Sequence, residues 1–230
     1  MILITNVFAL GFRCNADEFL EKYLKIRVYA SPFSWVVIDL KSALVFIKIK
    51  FKGYTNAYYI TRVRTPNNYK WYNKLYNGEL FFHNFFPITV NKNIIENERC
   101  CIWLHHNLHD ASIVRKLNAR ATHLLNVLEN AAKSLLFIYL EKIQDFNNNN
   151  NSYFDITLLD DFTCHFLILI PLLNYNREPS IIYTSIERIK IIYFSSSLEK
   201  QVVDTKCHID EWNKVTALVN SIYEFNIVKL

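Results

Sequence analysis

The sequence predicts an α/β fold: one three-layer domain over residues 1–230, built on a mostly parallel sheet. Three observations carry that prediction. A run of β-branched and large apolar residues, Ile2 to Leu10, leads through Gly11 into an amphipathic helical pattern. Three short apolar runs recur later, SLLFIYL (134–140), FLILIPLL (166–173) and RIKIIYF (188–194), each of strand length. Helical patterns precede and follow them, the alternation from which parallel sheets are made.

Taken in order, Ile2 to Leu10 has no helical stripe and reads as one buried strand. Asn15-Ala-Asp-Glu puts acidic side chains into a first helical turn, and Ala16, Phe19, Leu20, Tyr23 and Leu24 line one apolar face. In ASPFSWVVIDL (30–40), Pro32 biases Ser31 away from helix. FIKIKFK (46–52) alternates apolar residues with lysine and favours an edge strand, a helix from Lys41 to Phe51 being the rival. Residues 53–98 are aromatic and turn-rich without firm periodicity. Residues 112–133 form a helix with Leu117, Ala121, Leu124, Leu125 and Leu128 on one side. Residues 145–153, rich in asparagine, read as a flexible loop. A last helix from Asp210 to Tyr223 turns Trp212, Val215, Val219 and Ile222 inward.

Composition narrows the function. Hydrophobic residues are 51% and charged residues 20%, which is globular. A formal charge of +5 permits a nucleic-acid partner without demanding one. The segment 58–72 does interleave Arg62, Arg64 and Lys70 with Tyr58, Tyr59, Tyr69, Trp71 and Tyr72, as a single-strand binding surface would. The whole chain is 15% aromatic, however, so that enrichment is not distinctive, and we expect no nucleic acid. Five cysteines with no repeated spacing argue against a disulfide framework. The apolar runs are too short to span a bilayer, so we expect no membrane and a soluble, cytoplasmic protein. No Gly-rich phosphate loop and no G-x-S-x-G occurs, and no cofactor is expected.

Two stretches carry chemistry. Cys14 follows Gly11 by three residues and stands at the mouth of the first helix. Free amides and the helix dipole there favour a thiolate, and adjacent Arg13 adds to the effect. It reads either as a nucleophile or as a small residue buried behind the first strand. CCIWLHHNLHD (100–110) gathers Cys100, Cys101, His105, His106, His109 and Asp110. An imidazole from this group could serve a thiol as base, with Asp110 or Asn107 to orient it. Zinc is the other option, since a helix would put Cys101, His105 and His109 on one face. That spacing matches no familiar zinc signature, and no metal is expected. His83, in ELFFHNFFP (79–87), is a further candidate base.

Leu10-Gly11-x-x-Cys14 after a strand, Ser31-Pro32-Phe33-x-Trp35, Trp103-Leu104-His105-His106, and the helix from Lys116 to Leu128 before LLFIYL together resemble one known family. It is an otherwise uncharacterised family of papain-like cysteine peptidases from bacteria and large DNA viruses. Its members share Leu-Gly-x-x-Cys, Pro-Phe-Asp-Trp, an aromatic-x-His element and an arginine-rich helix. The resemblance implies a cysteine hydrolase or acyl transferase with Cys14 as nucleophile and His105 as base, His106 being its neighbour. It further implies a cleft bounded by Trp35, with Arg120 facing it or a nearby carboxylate. A peptide or small-molecule substrate is implied, and host cytoplasm if the source is viral. The papain label also implies an alternative α+β fold. The chain departs from the family at Ser34, where the motif has aspartate, and at Ala119, where an arginine is usual. Those departures favour the alternative of a degenerate viral protein that binds a host protein.

Overall fold

The computed structural model describes residues 1–11, 15–26, 30–34, 36–56, 60–64, 79–84, 99–103, 108–141, 144–145, 156–173, 175–196 and 209–227. Of the asparagine-rich loop expected over 145–153, residues 146–153 lie outside them, and Asp145 belongs to a strand and not to a loop. The strands are β1 (Ile2–Ile4), β2 (Asn6–Gly11), β3 (Val36–Ile38), β4 (Ile60–Arg64), β5 (Glu79–Asn84), β6 (Arg99–Trp103), β7 (Leu135–Leu140), β8 (Gln144–Asp145), β9 (His165–Leu173), β10 (Ser180–Tyr183), β11 (Ile189–Ser196) and β12 (Tyr223–Phe225). The α-helices are α1 (Asn15–Lys22), α2 (Leu40–Lys48), α3 (Ala111–Ala131) and α4 (Ile209–Ile222).

The central sheet runs β10-β11-β9-β7-β2, with β8 also on β9. β2, β7, β9 and β11 are mutually parallel, and only the edge strand β10 is antiparallel. The predicted α/β class with a mostly parallel sheet is therefore what forms, and the three late runs are its middle. Their continuous apolar character has a direct cause, since β7 is buried at all its positions and β9 at all but the first. One face packs Phe8, Leu10, Phe137 and Tyr139 against α2 and α3. The other packs Val7, Ala9, Ile138 and Leu167 against α1 and α4. Helix, sheet and helix make three layers.

Two local expectations are corrected. Ile2 to Leu10 is not one strand. Thr5 interrupts it, its hydroxyl donating to Ser134 Oγ at 2.7 Å and its N–H to the Ser134 carbonyl at 3.0 Å. β1 then pairs with β12, in a separate small sheet. Residues 46–52 are not an edge strand either. Asp39 caps α2 by accepting from Ser42 N–H and Oγ, each at 2.8 Å, and Leu40, Ala43, Leu44 and Ile47 fill a helical stripe. The helix stops where Lys50 and Phe51 take left-handed φ values of 53° and 56°. The alternating lysines are exposed residues of a helix end and its turn.

A second sheet, antiparallel β3-β6-β5-β4, is built from residues without readable periodicity. Among the described residues, no helix is long and apolar enough to cross a membrane.

Candidate active site

The site is approached from the carboxyl edge of the central sheet. β2 ends at Gly11, paired with Leu140 of β7, and α1 starts at Asn15. Cys14 belongs to the three residues between them and lies outside the described residues, as do Trp35, His105 and His106. The flanking elements carry the geometry. α1 has Asp17 and Glu18 in its first turn. It buries Ala16, Phe19 and Leu20, the stripe read from the sequence, so its first turn is held against the sheet.

The Pro-Phe-Ser turn is pinned from several sides. The Phe33 N–H donates to Ser31 Oγ at 3.0 Å and the Ser34 N–H to the Ser31 carbonyl at 3.0 Å. The buried Tyr54 hydroxyl donates to the Pro32 carbonyl at 2.7 Å. Phe33 packs on the rings of Phe51 and Tyr54 at 5.3 and 5.9 Å. Ser34 is 0% exposed, and its hydroxyl donates to Asp17 Oδ1 at 2.7 Å. The turn before β3 is thereby joined to the first turn of α1.

The third segment arrives through the second sheet. β3 and β6 are antiparallel, and the first residue of β3, Val36, pairs with the last of β6, Trp103. The chain segments holding Trp35 and the histidines therefore meet the sheet at the same end. His83 is in β5, paired with Cys101 of β6 and Ile60 of β4. Cys101 sits on a strand and not on a helix, and His109 precedes α3 in an exposed turn, so the helical face required by the zinc reading does not form. Among the described residues no cluster of three or more His, Cys, Asp or Glu could hold a metal.

Asp110 has a structural use: it caps α3 by accepting from the Ser112 N–H at 2.7 Å, and hydrogen bonding from the Ser112 side chain, with that N–H second, holds its carboxyl below the usual carboxylate range. Arg120 is half-buried on α3 and makes no ion pair among the described residues.

Sequence reasoning missed three residues that frame this edge. Asp17 was read only as a helix-start acid, and Tyr54 fell in a stretch without pattern. Tyr139, opposite Leu10 at the end of β7, is fully buried. Burial pushes its phenol ionisation up, with the charges of Glu141 and Asp39 adding to it. An open groove of 540 Å³ lies elsewhere, between the end of α2 and α3 near Phe162 and Thr163, and shares no residue with these segments.

Compared with models of known families, residues 5–162 match the one described as "Putative papain-like cysteine peptidase". No curated protein and no solved structure matches the chain.

Proposed function

This chain belongs to the papain-like cysteine peptidase family, and on that footing we propose that it is a cysteine hydrolase or acyl transferase in which Cys14 is the nucleophile and His105, or its neighbour His106, the base. The observation that carries the reading is the joint meeting of segments: Ser34 is bonded to Asp17 beside the start of α1, and Val36 is paired with Trp103. Covalent connectivity keeps the Cα of Cys14 within about 4 Å of that of Asn15, and the Cα of His105 within about 7 Å of that of Trp103. The links of Ser34 to Asp17 and of Val36 to Trp103 join the described residues that flank three segments distant in sequence, which supports a thiol and an imidazole acting together.

The chemistry follows from those groups. The imidazole takes the thiol proton, and the amides opening α1 favour the resulting thiolate. Sulfur attacks a carbonyl carbon, and a tetrahedral intermediate collapses as the imidazolium protonates the leaving amine or alcohol. Water, or another acceptor in a transferase, then attacks the thioester with the imidazole as base, and the thiolate departs. Trp35 would wall the acyl group and Arg120 would meet an anionic part of the substrate. The substrate is a peptide or a small acyl compound.

The test needs no known substrate. Native protein is treated with iodoacetamide at mildly acidic pH and the adducts are mapped by mass. Selective labelling of Cys14, lost in His105→Ala or His106→Ala, is the expected result. Even labelling across the accessible cysteines overturns the reading. It would leave the second one, a binding protein of the same fold, which Ser34 at the motif's aspartate position favours.

A further inference from the structure

We propose that His165 and Tyr223 form an acid-sensitive latch, which seats the paired strands β1 and β12 on the central sheet at neutral pH and loosens them on acidification. The latch works without the cysteine–histidine site and is made only of described residues.

The strands it holds are short. β1 and β12 have three residues each and pair with one another in a sheet of their own, where the Asn226 N–H also donates to the Ile4 carbonyl at 2.9 Å. A two-stranded sheet is marginal in water, so this one depends on what it leans against. Ile4 and Tyr223 supply that support, at 0% and 2% exposure, in the cluster that also holds Leu136, Ile138 and Leu167. Tyr223 meets the central sheet at His165, with the two rings edge-on and 6.4 Å apart.

Two buried polar atoms belong to this contact. Neither His165 Nδ1 nor the Tyr223 hydroxyl has a hydrogen-bond partner among the described residues. A neutral imidazole tolerates this, because its other nitrogen donates to the Lys133 carbonyl while Nδ1 carries only a lone pair. Protonation puts an N–H on Nδ1, and a buried donor on a charged ring is costly unless it is paired. The neighbouring elements do little to offset that cost. β11 brings buried Lys190, with Arg188 just ahead of it, and both cations oppose an imidazolium; Glu187 alone among the charged groups favours it. β7 sets apolar Leu136 opposite His165. β1 has no titratable side chain, the last turn of α4 is uncharged, and Lys133 and Glu224 are exposed.

The cost is relieved on the side that gives way more easily. His165 opens β9, which lies between β7 and β11 and is bonded to both. Tyr223 opens β12, which is bonded to β1. An imidazolium therefore displaces Tyr223, and the small sheet goes with it as a local opening.

Hydrogen exchange of the full chain tests the latch, read by mass at pH 7.5 and pH 5.5 and corrected for the intrinsic rate at each pH. Peptides covering residues 1–4 and 223–227 report the small sheet, and peptides from β7 and β9 report the central one. The open state takes up its proton near the ordinary histidine value and the closed state at a lower pH, so protection of the small sheet should fall by up to about tenfold between the two conditions. Protection of β7 and β9 should change by less than about twofold, as expected of a local opening. His165→Phe keeps a ring but cannot titrate, and it should abolish the fall in the small sheet.

An unchanged small sheet in the wild type overturns the proposal. So does an equal fall in both sheets, which would be global unfolding, and so does a fall that persists in His165→Phe. Should that variant not fold, His165→Gln decides in its place, since its amide can donate to the Lys133 carbonyl and does not titrate in this range.

Discussion

The Tyr54 hydroxyl reaches across from the turn after α2 to the carbonyl oxygen of Pro32 at 2.7 Å, both groups being buried. It fastens the turn ahead of β3 to the helix that sequence periodicity had left ambiguous. Tyr54→Phe keeps the ring that packs on Phe46 at 4.9 Å and on Phe51 at 5.3 Å, and it strips the carbonyl of its partner. The expected cost is about 1–3 kcal/mol, the range for a buried acceptor left unpaired. Urea unfolding measures it as a lower midpoint at unchanged slope. A loss below about 0.5 kcal/mol would show that the carbonyl is satisfied in another way.

Cys164 is the counterpart of Cys14. It sits just before β9, fully buried beside Phe166 and Leu159, and burial pushes its thiol up to about 12. At pH 8 almost none of it is thiolate. Native protein should leave Cys164 unmodified by iodoacetamide at that pH, and denaturant should expose it fully. Labelling in the native state at a rate within tenfold of the denatured rate would contradict the packing around β9.

What the sequence revealed and what it hid divide along physical lines. β7, β9 and β11 were legible because a strand covered on both faces must be apolar throughout, as FLILIPLL is. α1 and α4 were legible from stripes that indeed pack inward, Phe19 and Trp212 among them. The antiparallel sheet was hidden because its short strands lie far apart in sequence and its register comes from pairing, not from local pattern. Residues 46–52 misled because three lysines fell at alternate positions while the cap at Asp39, seven residues earlier, decided for helix. In the site, the cysteine and histidine motifs could be read from residue types. Asp17 could not, since its bond to Ser34 spans 17 residues and no spacing rule announces it.

His165 gives the fold a pH dependence. It opens β9 with its ring half-buried, 6.4 Å from the ring of buried Tyr223, and Nδ1 has no hydrogen-bond partner among the described residues. Burial holds its pKa below the usual histidine value. The Lys133 carbonyl, which accepts from the ring, and Glu187 oppose that shift, while Lys190 and Arg188 reinforce it. The unfolded chain then takes up a proton before the native protein does. Stability from this residue is complete above the ordinary value near 6.5 and falls as pH drops below it, until the folded group is also protonated. His165→Phe should flatten the decline in unfolding temperature between pH 7 and pH 5. An unchanged slope would place the acid sensitivity elsewhere.

Trp212 carries the last prediction, because it lies outside residues 5–162 and yet supports the start of the chain. It is 1% exposed on α4, with its ring 5.0 Å from Phe19, 5.7 Å from Tyr23 and 4.9 Å from Phe194. Phe19 and Tyr23 belong to α1 and the turn that ends it, so Trp212 is the wedge between that helix and β11. Trp212→Ala empties this space and should cost about 3–5 kcal/mol, a large share of a typical domain's stability. Trp212→Phe keeps an aromatic ring there and should cost roughly half as much. The consequence for function is testable in the phenylalanine variant, which stays folded. With α1 less firmly seated, the amides beside Cys14 lose alignment, and selective labelling at mildly acidic pH should fall several-fold while labelling above pH 9 is unchanged. Equal loss at both pH values would mean that Trp212 acts on the accessibility of the thiol and not on its ionisation.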